Sequence, residues 1–157
     1  MKIQTTRFGE VEVEDSRVIS FPKGLLGFPK YRDYVLIESG DQTRPEEESN
    51  FWWLQSVDLP ELAFVVTDPT LFVSTYKVPI HPEQMLGLGL SSIDDAQVFV
   101  IVNKRGHVLT GNLQGPLVVN VGSRCGEQLV LSDRRFTTRV PLIEIQQQQE
   151  APAAMSA

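Results

Sequence analysis

The sequence predicts an all-β protein: a single antiparallel β-barrel-like domain, closed or sandwich-like, with one short helix near 82–88. Three observations lead there. Apolar residues fall in short runs, rich in valine, isoleucine and aromatics, and bounded by Gly, Pro, Asn or Asp. Glu10-Val11-Glu12-Val13-Glu14 alternates polar and apolar strictly, as a strand with one wet face does. Only one segment carries the start and stop signals of a helix. Many short strands in one chain most simply close on themselves, which removes exposed edges.

The nucleus is Phe51-Trp52-Trp53-Leu54-Gln55-Ser56, joined by a short turn, Val57 to Glu61, to Leu62-Ala63-Phe64-Val65-Val66-Thr67. It holds both tryptophans and reads as an adjacent strand pair buried on both faces. Before it, Lys2 to Arg7 and Glu10 to Glu14 form a hairpin about Phe8-Gly9, and Val18 to Pro22 is extended. Lys23 to Pro29 is an apolar loop, and Tyr34 to Glu38 is a buried strand. Gly40 to Asn50 is a polar loop.

After Asp68-Pro69-Thr70, Leu71 to Val78 reads as a strand that Pro79 ends. Pro82 suits a first helical position, Glu83 favours the positive helix start, and Gly87 and Gly89 stop the helix. Leu90 to Asp95 leads on through a second short helical turn. An antiparallel meander follows: Gln97 to Val102, His107 to Leu113, Leu117 to Val121 and Glu127 to Leu131, with Arg139 to Ile143 as a closing extended segment. The domain spans 1–145, and 146–157 is a low-complexity, disordered Gln/Ala tail.

A chain of 157 residues suits one domain with a sizeable core, and 41% apolar content is too high for disorder. No apolar run approaches the roughly 18 residues that span a bilayer. The first residues lack the apolar stretch of a secretory signal, and the one cysteine, Cys125, excludes an internal disulfide. These features point to the cytoplasm. The net charge of −6 is unevenly placed: Glu38 to Asp95 holds eleven acids but only Arg44 and Lys77, a balance of −9, leaving +3 elsewhere. Such a segment repels phosphate backbones and attracts basic proteins. Arg124, Arg134, Arg135 and Arg139 make the late part locally basic, suited to pairing with the acidic middle or with a partner's acids.

Catalytic groups are scarce. His81 reads as a helix-entry residue, His107 as a turn residue, and neither is spaced to work with Cys125. Asp94-Asp95 is the nearest approach to a metal-binding pair, and no Gly-rich phosphate cradle opens a helix. No cofactor is predicted. The residues favour a protein-binding function, with two alternatives: a β-barrel binding single-stranded nucleic acid, and a small hydrolase using carboxylates from Asp58, Glu61 or Asp68.

Several stretches resemble the FliW family of flagellar assembly factors. They are Thr6-Arg7-Phe8-Gly9-Glu10, Ile19-Ser20-Phe21-Pro22-Lys23-Gly24-Leu25, Gly27-Phe28, Trp53-Leu54-Gln55-Ser56, Leu62-Ala63-Phe64-Val65-Val66, Asp68-Pro69, Asn112 to Asn120, and Gln128-Leu129-Val130-Leu131. Their order and spacing cover roughly Met1 to Leu142. The chain departs from the family pattern at Gly115, where alanine is usual, at Arg124 to Glu127, and at Val140-Pro141.

The resemblance implies a partner switch without covalent chemistry and a monomer when free. Proteins of this family bind CsrA, a dimeric RNA-binding repressor of flagellin translation, and flagellin competes with CsrA for them. On this expectation the acidic segment, including Asp94 and Asp95, steers a basic partner. Apolar anchors then hold it, with Phe72, Tyr76, Leu25, Leu26 and Phe28 as candidates.

Overall fold

The computed structural model describes residues 1–38 and 50–144. The polar loop expected at Gly40 to Asn50, save Asn50 itself, and the 146–157 tail lie outside the described residues. Eleven strands form among those described. β1 (Lys2–Thr5) and β2 (Gly9–Glu12) make the N-terminal hairpin, a two-stranded sheet of its own. Its turn is held by the Thr5 hydroxyl, which accepts the Phe8 N–H at 2.8 Å and donates to the Gly9 carbonyl at 2.9 Å. The hairpin docks on the tryptophan strand: the Arg7 guanidinium lies 3.9 Å from the Trp53 ring centroid and Phe8 meets Trp53 edge-on.

The main sheet has nine strands. β3 (Ile19–Ser20), β4 (Asp33–Glu38), β5 (Phe51–Ser56), β6 (Ala63–Thr67) and β7 (Ala96–Arg105) pair antiparallel in succession. β7 then serves two partners. Its end, Val102 to Arg105, pairs with β8 (Val108–Gly111), which carries β11 (Val140–Glu144). Its start, Ala96 to Phe99, pairs with β9 (Leu117–Asn120), which pairs with β10 (Cys125–Gln128). β10 returns to β3 through one pairing, Cys125 with Ser20, the only parallel one among the described residues. The sheet is therefore barrel-like, with a thin seam between β3 and β10. The β9–β10 turn ends earlier than expected: Cys125 and Gly126 lie in a strand because Arg124, at φ 62°, completes the turn before them.

In the turn between β5 and β6, beyond the end of their ladder, side chains supply the hydrogen bonds. Gln55 is fully buried, and its Nε2 lies 3.1 Å from the carbonyls of Ser56 and Pro60 and 3.2 Å from that of Leu62. Ser56 Oγ accepts the N–H groups of Asp58 and Leu59. The starts of these strands are only half-buried, so the pair is less enclosed than the apolar run suggests.

Two cores share one wall. On one face Phe99, Leu117 and Val119 join Ile19, Phe21, Tyr34, Leu54 and Val66. On the other, Val100 and Val118 join Tyr76, Leu88, Leu113 and Leu129. β9 is buried at every position for this reason. The second face is covered by 71–90 and 129–142. This explains the main departure from expectation: Leu71 to Val78 is not a strand. Asp68 caps a 3-10 turn, Pro69–Leu71, and the chain then crosses the wall irregularly, seating Tyr76 and Val78 in the second core. The Tyr76 hydroxyl donates to the Leu113 carbonyl at 2.6 Å, and its ring meets Phe136 edge-on at 4.8 Å. The predicted helix is present as α1 (Pro82–Gly87), followed by a 3-10 turn, Ile93–Asp95.

Two buried tyrosines give opposite predictions. Tyr76→Phe strands the Leu113 carbonyl and should cost about 1–3 kcal/mol in urea unfolding. The Tyr34 hydroxyl has no hydrogen-bond partner among the described residues, so Tyr34→Phe should be neutral or stabilising. Burial pushes Tyr34 up from 10.0 to about 12 and raises Tyr76 too. Both groups hold their protons more tightly when folded, so stability should be full below pH 10 and fall as pH rises towards 12, measured by unfolding across that range. Gly24 has φ +67°, and a Cβ there would sit 2.6 Å from Pro29 Cα. Gly24→Ala should therefore cost on the order of 2 kcal/mol or more in the same assay.

Candidate binding surface

α1 begins where the sequence says it should. Pro82 takes the first turn, and the His81 N–H donates to Gln84 Oε1 at 2.8 Å. Its end is a two-bond stop: Gly89, at φ +68°, donates to the Leu86 carbonyl, and Leu90 donates to the Met85 carbonyl at 2.8 Å. Met85 and Leu90 both turn into the second core. Ser92 Oγ then accepts the Asp94 N–H and starts the short 3-10 turn.

Asn120, at the end of β9, ties this region together. Its Nδ2 donates to the carbonyls of Leu88 (2.8 Å) and Gly89 (3.3 Å). Its Oδ1 accepts the N–H groups of Gly122 (2.9 Å) and Ser123 (3.3 Å). Val121 donates its N–H to the Asp95 carbonyl at 3.1 Å. The helix end, the 3-10 turn and the β9–β10 turn are thus fixed to one another.

They enclose an open cleft of about 460 Å³, lined by Gly89, Asp94, Asp95, Asn120, Val121 and Gly122. Val121 is 54% exposed, Ile93, next to Asp94, is 52%, and Leu86, three residues before Gly89, is 83%. Among the described residues no cation pairs with Asp94 or Asp95. Five acids elsewhere have a cation within reach: Glu10 from Lys2, Glu12 and Asp15 from the terminal amine, Glu127 from Lys23 and Asp133 from Arg135. The hydrogen bond from Arg135 holds the Asp133 carboxyl below its usual range. Arg124 Nη2 donates to the Arg17 carbonyl. Neither Arg124 nor Arg135 therefore reaches the acidic middle of the chain.

The expected site residues separate. Asp94 and Asp95 come together at the cleft. Leu25 and Tyr76, each 3% exposed, are core residues and offer a partner no surface. Phe28 meets Phe64 edge-on, and Phe72 stacks on Phe51 at 5.7 Å. Leu26 is 60% exposed, but its loop lies against β10, where its N–H donates to Gln128 Oε1. Leu86, Ile93 and Val121 were not singled out in the sequence. One signal for Leu86 was available: in a two-turn helix, with Met85 and Leu88 inward, an adjacent leucine points away.

The remaining candidates have structural duties. Asp58 and Glu61 lie in the β5–β6 turn, and Asp68 Oδ1 accepts from the Thr70 N–H and hydroxyl. Cys125 pairs with Asn120 in the β9–β10 ladder. Among the described residues no three His, Cys, Asp or Glu side chains are grouped to hold a metal ion, and no helix is long and apolar enough to cross a membrane.

Comparison with known proteins agrees with this architecture. The family model described as FliW protein matches residues 2–142. The flagellar assembly factor FliW of Leptospira interrogans serogroup Icterohaemorrhagiae serovar Lai is 38% identical, with 92% of this chain and 94% of that protein covered. The flagellar assembly factor FliW of Geobacter sulfurreducens is 36% identical, covering 100% and 96%. A crystal structure of the flagellar assembly factor FliW superposes with a TM-score of 0.79 at 29% identity, over 91% of this chain and 97% of that one. With its sequence matched from end to end of the domain and its sheet shared with a solved member, the chain belongs to the FliW family of flagellar assembly factors.

Proposed function

We propose that this chain is a partner switch in flagellar assembly, holding CsrA when flagellin is scarce and releasing it when flagellin accumulates. Free CsrA then silences flagellin translation, and export of flagellin restores it. The observation that carries this reading is the cleft beside α1, where two unneutralised acids adjoin exposed apolar side chains. A basic RNA-binding protein is drawn by the first and retained by the second, since charges at a rim give rate and desolvated apolar contacts give dwell time. Such a cycle works by occupancy. Asp68 caps a 3-10 turn, and Asp58 and Glu61 lie apart from it in the β5–β6 turn, which supports a binding role over a hydrolytic one.

The test is co-purification of the full chain with CsrA, followed by a challenge with monomeric flagellin. A stable complex, and its loss as flagellin is added, is the expected outcome. Failure of the chain to retain either protein at micromolar concentration overturns the proposal.

A further inference from the structure

We infer that the open edge of β4 is a strand-docking site, which takes an extended, β-branched segment of another protein as an added strand. This edge shares no residue with the cleft beside α1, and its use does not depend on the switch reading above.

β4 is fully paired along one edge only. β5 pairs with it from Tyr34 to Glu38 without a break, whereas β3 pairs with it only at Asp33 and Tyr34. Two bonds at its start fix the direction of its backbone groups. The Asp33 carbonyl accepts the Val57 N–H on the β5 side, and the Arg32 carbonyl accepts the Phe21 N–H on the β3 side. By alternation, Arg32, Tyr34, Leu36 and Glu38 all direct their N–H and C=O groups towards β3. Arg17 would face Leu36 in the β3 register, but it lies in the 3-10 turn Asp15–Arg17, and its carbonyl accepts Arg124 Nη2 instead. Among the described residues nothing pairs with the backbone of Leu36 or Glu38 on that side. Leu36 is half-buried, so water is a poor substitute for a partner there.

An open groove of about 630 Å³ runs along this edge, between Val35 to Glu38 and Val11 to Glu14 of the hairpin. Val11, Val13, Leu36 and Ile37 are half-buried and give it an apolar lining. Its charges are Glu12, Glu14, Glu38, Arg17 and the terminal amine, which lies 3.8 Å from Glu12. Glu38 meets no cation among the described residues. The other open edge, at β11, is guarded by Pro141 and by a register shift between Pro141 and Ile143. The open stretch of β4 has neither proline nor bulge.

This lining defines the occupant. Its main chain bonds to Leu36 and Glu38, as in strand addition. Its apolar side chains lie against Val11, Val13 and Ile37, and one lysine or arginine meets Glu38. A second copy of this chain would bring the same excess of acids, so a segment of another protein fits better.

The experiment uses the full chain, labelled with nitrogen-15, and the synthetic peptide Lys-Val-Thr-Val-Thr-Val. In the free protein the Leu36 amide should exchange with solvent at least about tenfold faster than those of Val35 and Ile37, which point to β5. The peptide should cause saturable shifts at Leu36, Ile37 and Val13 and slow Leu36 exchange about tenfold. The same peptide N-methylated at every residue cannot join a ladder and should give no protection. Glu38→Lys should weaken peptide binding about fivefold. If Leu36 exchange is as slow as that of Val35 in the free protein, the edge is already covered, by the chain itself or by a second copy, and the inference falls. Absence of saturable shifts up to about 1 mM peptide overturns it, as do shifts centred on the cleft beside α1. Equal binding of the methylated peptide, or of the parent peptide to Glu38→Lys, overturns it too.

Discussion

A sheet wall dry on both faces governs this molecule. β7 and β9 send alternate side chains into two cores, and neither core can be left open to water. The barrel closes over one face with its own strands. The other face requires a cover, which comes from two segments that are not themselves part of the ring. The apolar surface removed from water along this wall is the driving term, at roughly 25 cal/mol per Å². The cover has to follow the wall's bumps and hollows, so it is irregular, with Tyr76, Val78, Leu88 and Leu90 placed singly. Because α1 and the 3-10 turn after it are stretched across this wall, Gly89, Asp94 and Asp95 come to lie beside the β9–β10 turn. The candidate binding surface is in this sense a by-product of covering β9.

Buried amide side chains repair the places where backbone pairing fails. Gln55 serves carbonyls in the β5–β6 turn, and Asn120 serves both the helix end and the following turn. Gln128 bridges the seam, accepting the Leu26 N–H and donating to the Gly115 carbonyl. Asn120 uses both its oxygen and its nitrogen, whereas Gln55 uses only its nitrogen and its buried Oε1 has no partner among the described residues. The charges divide in the same way. Acids within the hairpin and on β10 are neutralised by neighbours, whereas Asp94 and Asp95 face solvent together.

How far the sequence reveals this depends on whether the cause is local. The hairpin, the tryptophan strand pair and α1 follow from periodicity, turn residues and capping, all of which lie within a few positions of one another. Leu71 to Val78 misleads because its β-branched and aromatic residues suit a strand, while the force that shapes it is tertiary: Tyr76 reaches Leu113 and Phe136. The same holds for Leu25 and Phe28. An apolar loop looks like an anchor in a sequence, but here Gly24, in a left-handed conformation, folds it onto the core. Asp94 and Asp95 could be picked out as charges. Their apolar neighbours could not, since Val121 is distinguished from the four buried residues before it only by where β9 ends.

The seam between β3 and β10 has a kinetic meaning. It joins the early part of the chain to the late part through a single ladder contact, Ser20 with Cys125, helped by side chains. The loop it closes, from Ser20 to Cys125, spans most of the domain, so its entropic cost falls due before any cooperative gain from neighbouring rungs. Closure of the ring therefore comes late in folding, after the consecutive β3-to-β7 meander is in place. Once closed, the same contact is the barrel's latch: the short β3 strand and the apolar loop behind it form the panel through which the cylinder can breathe without losing its frame.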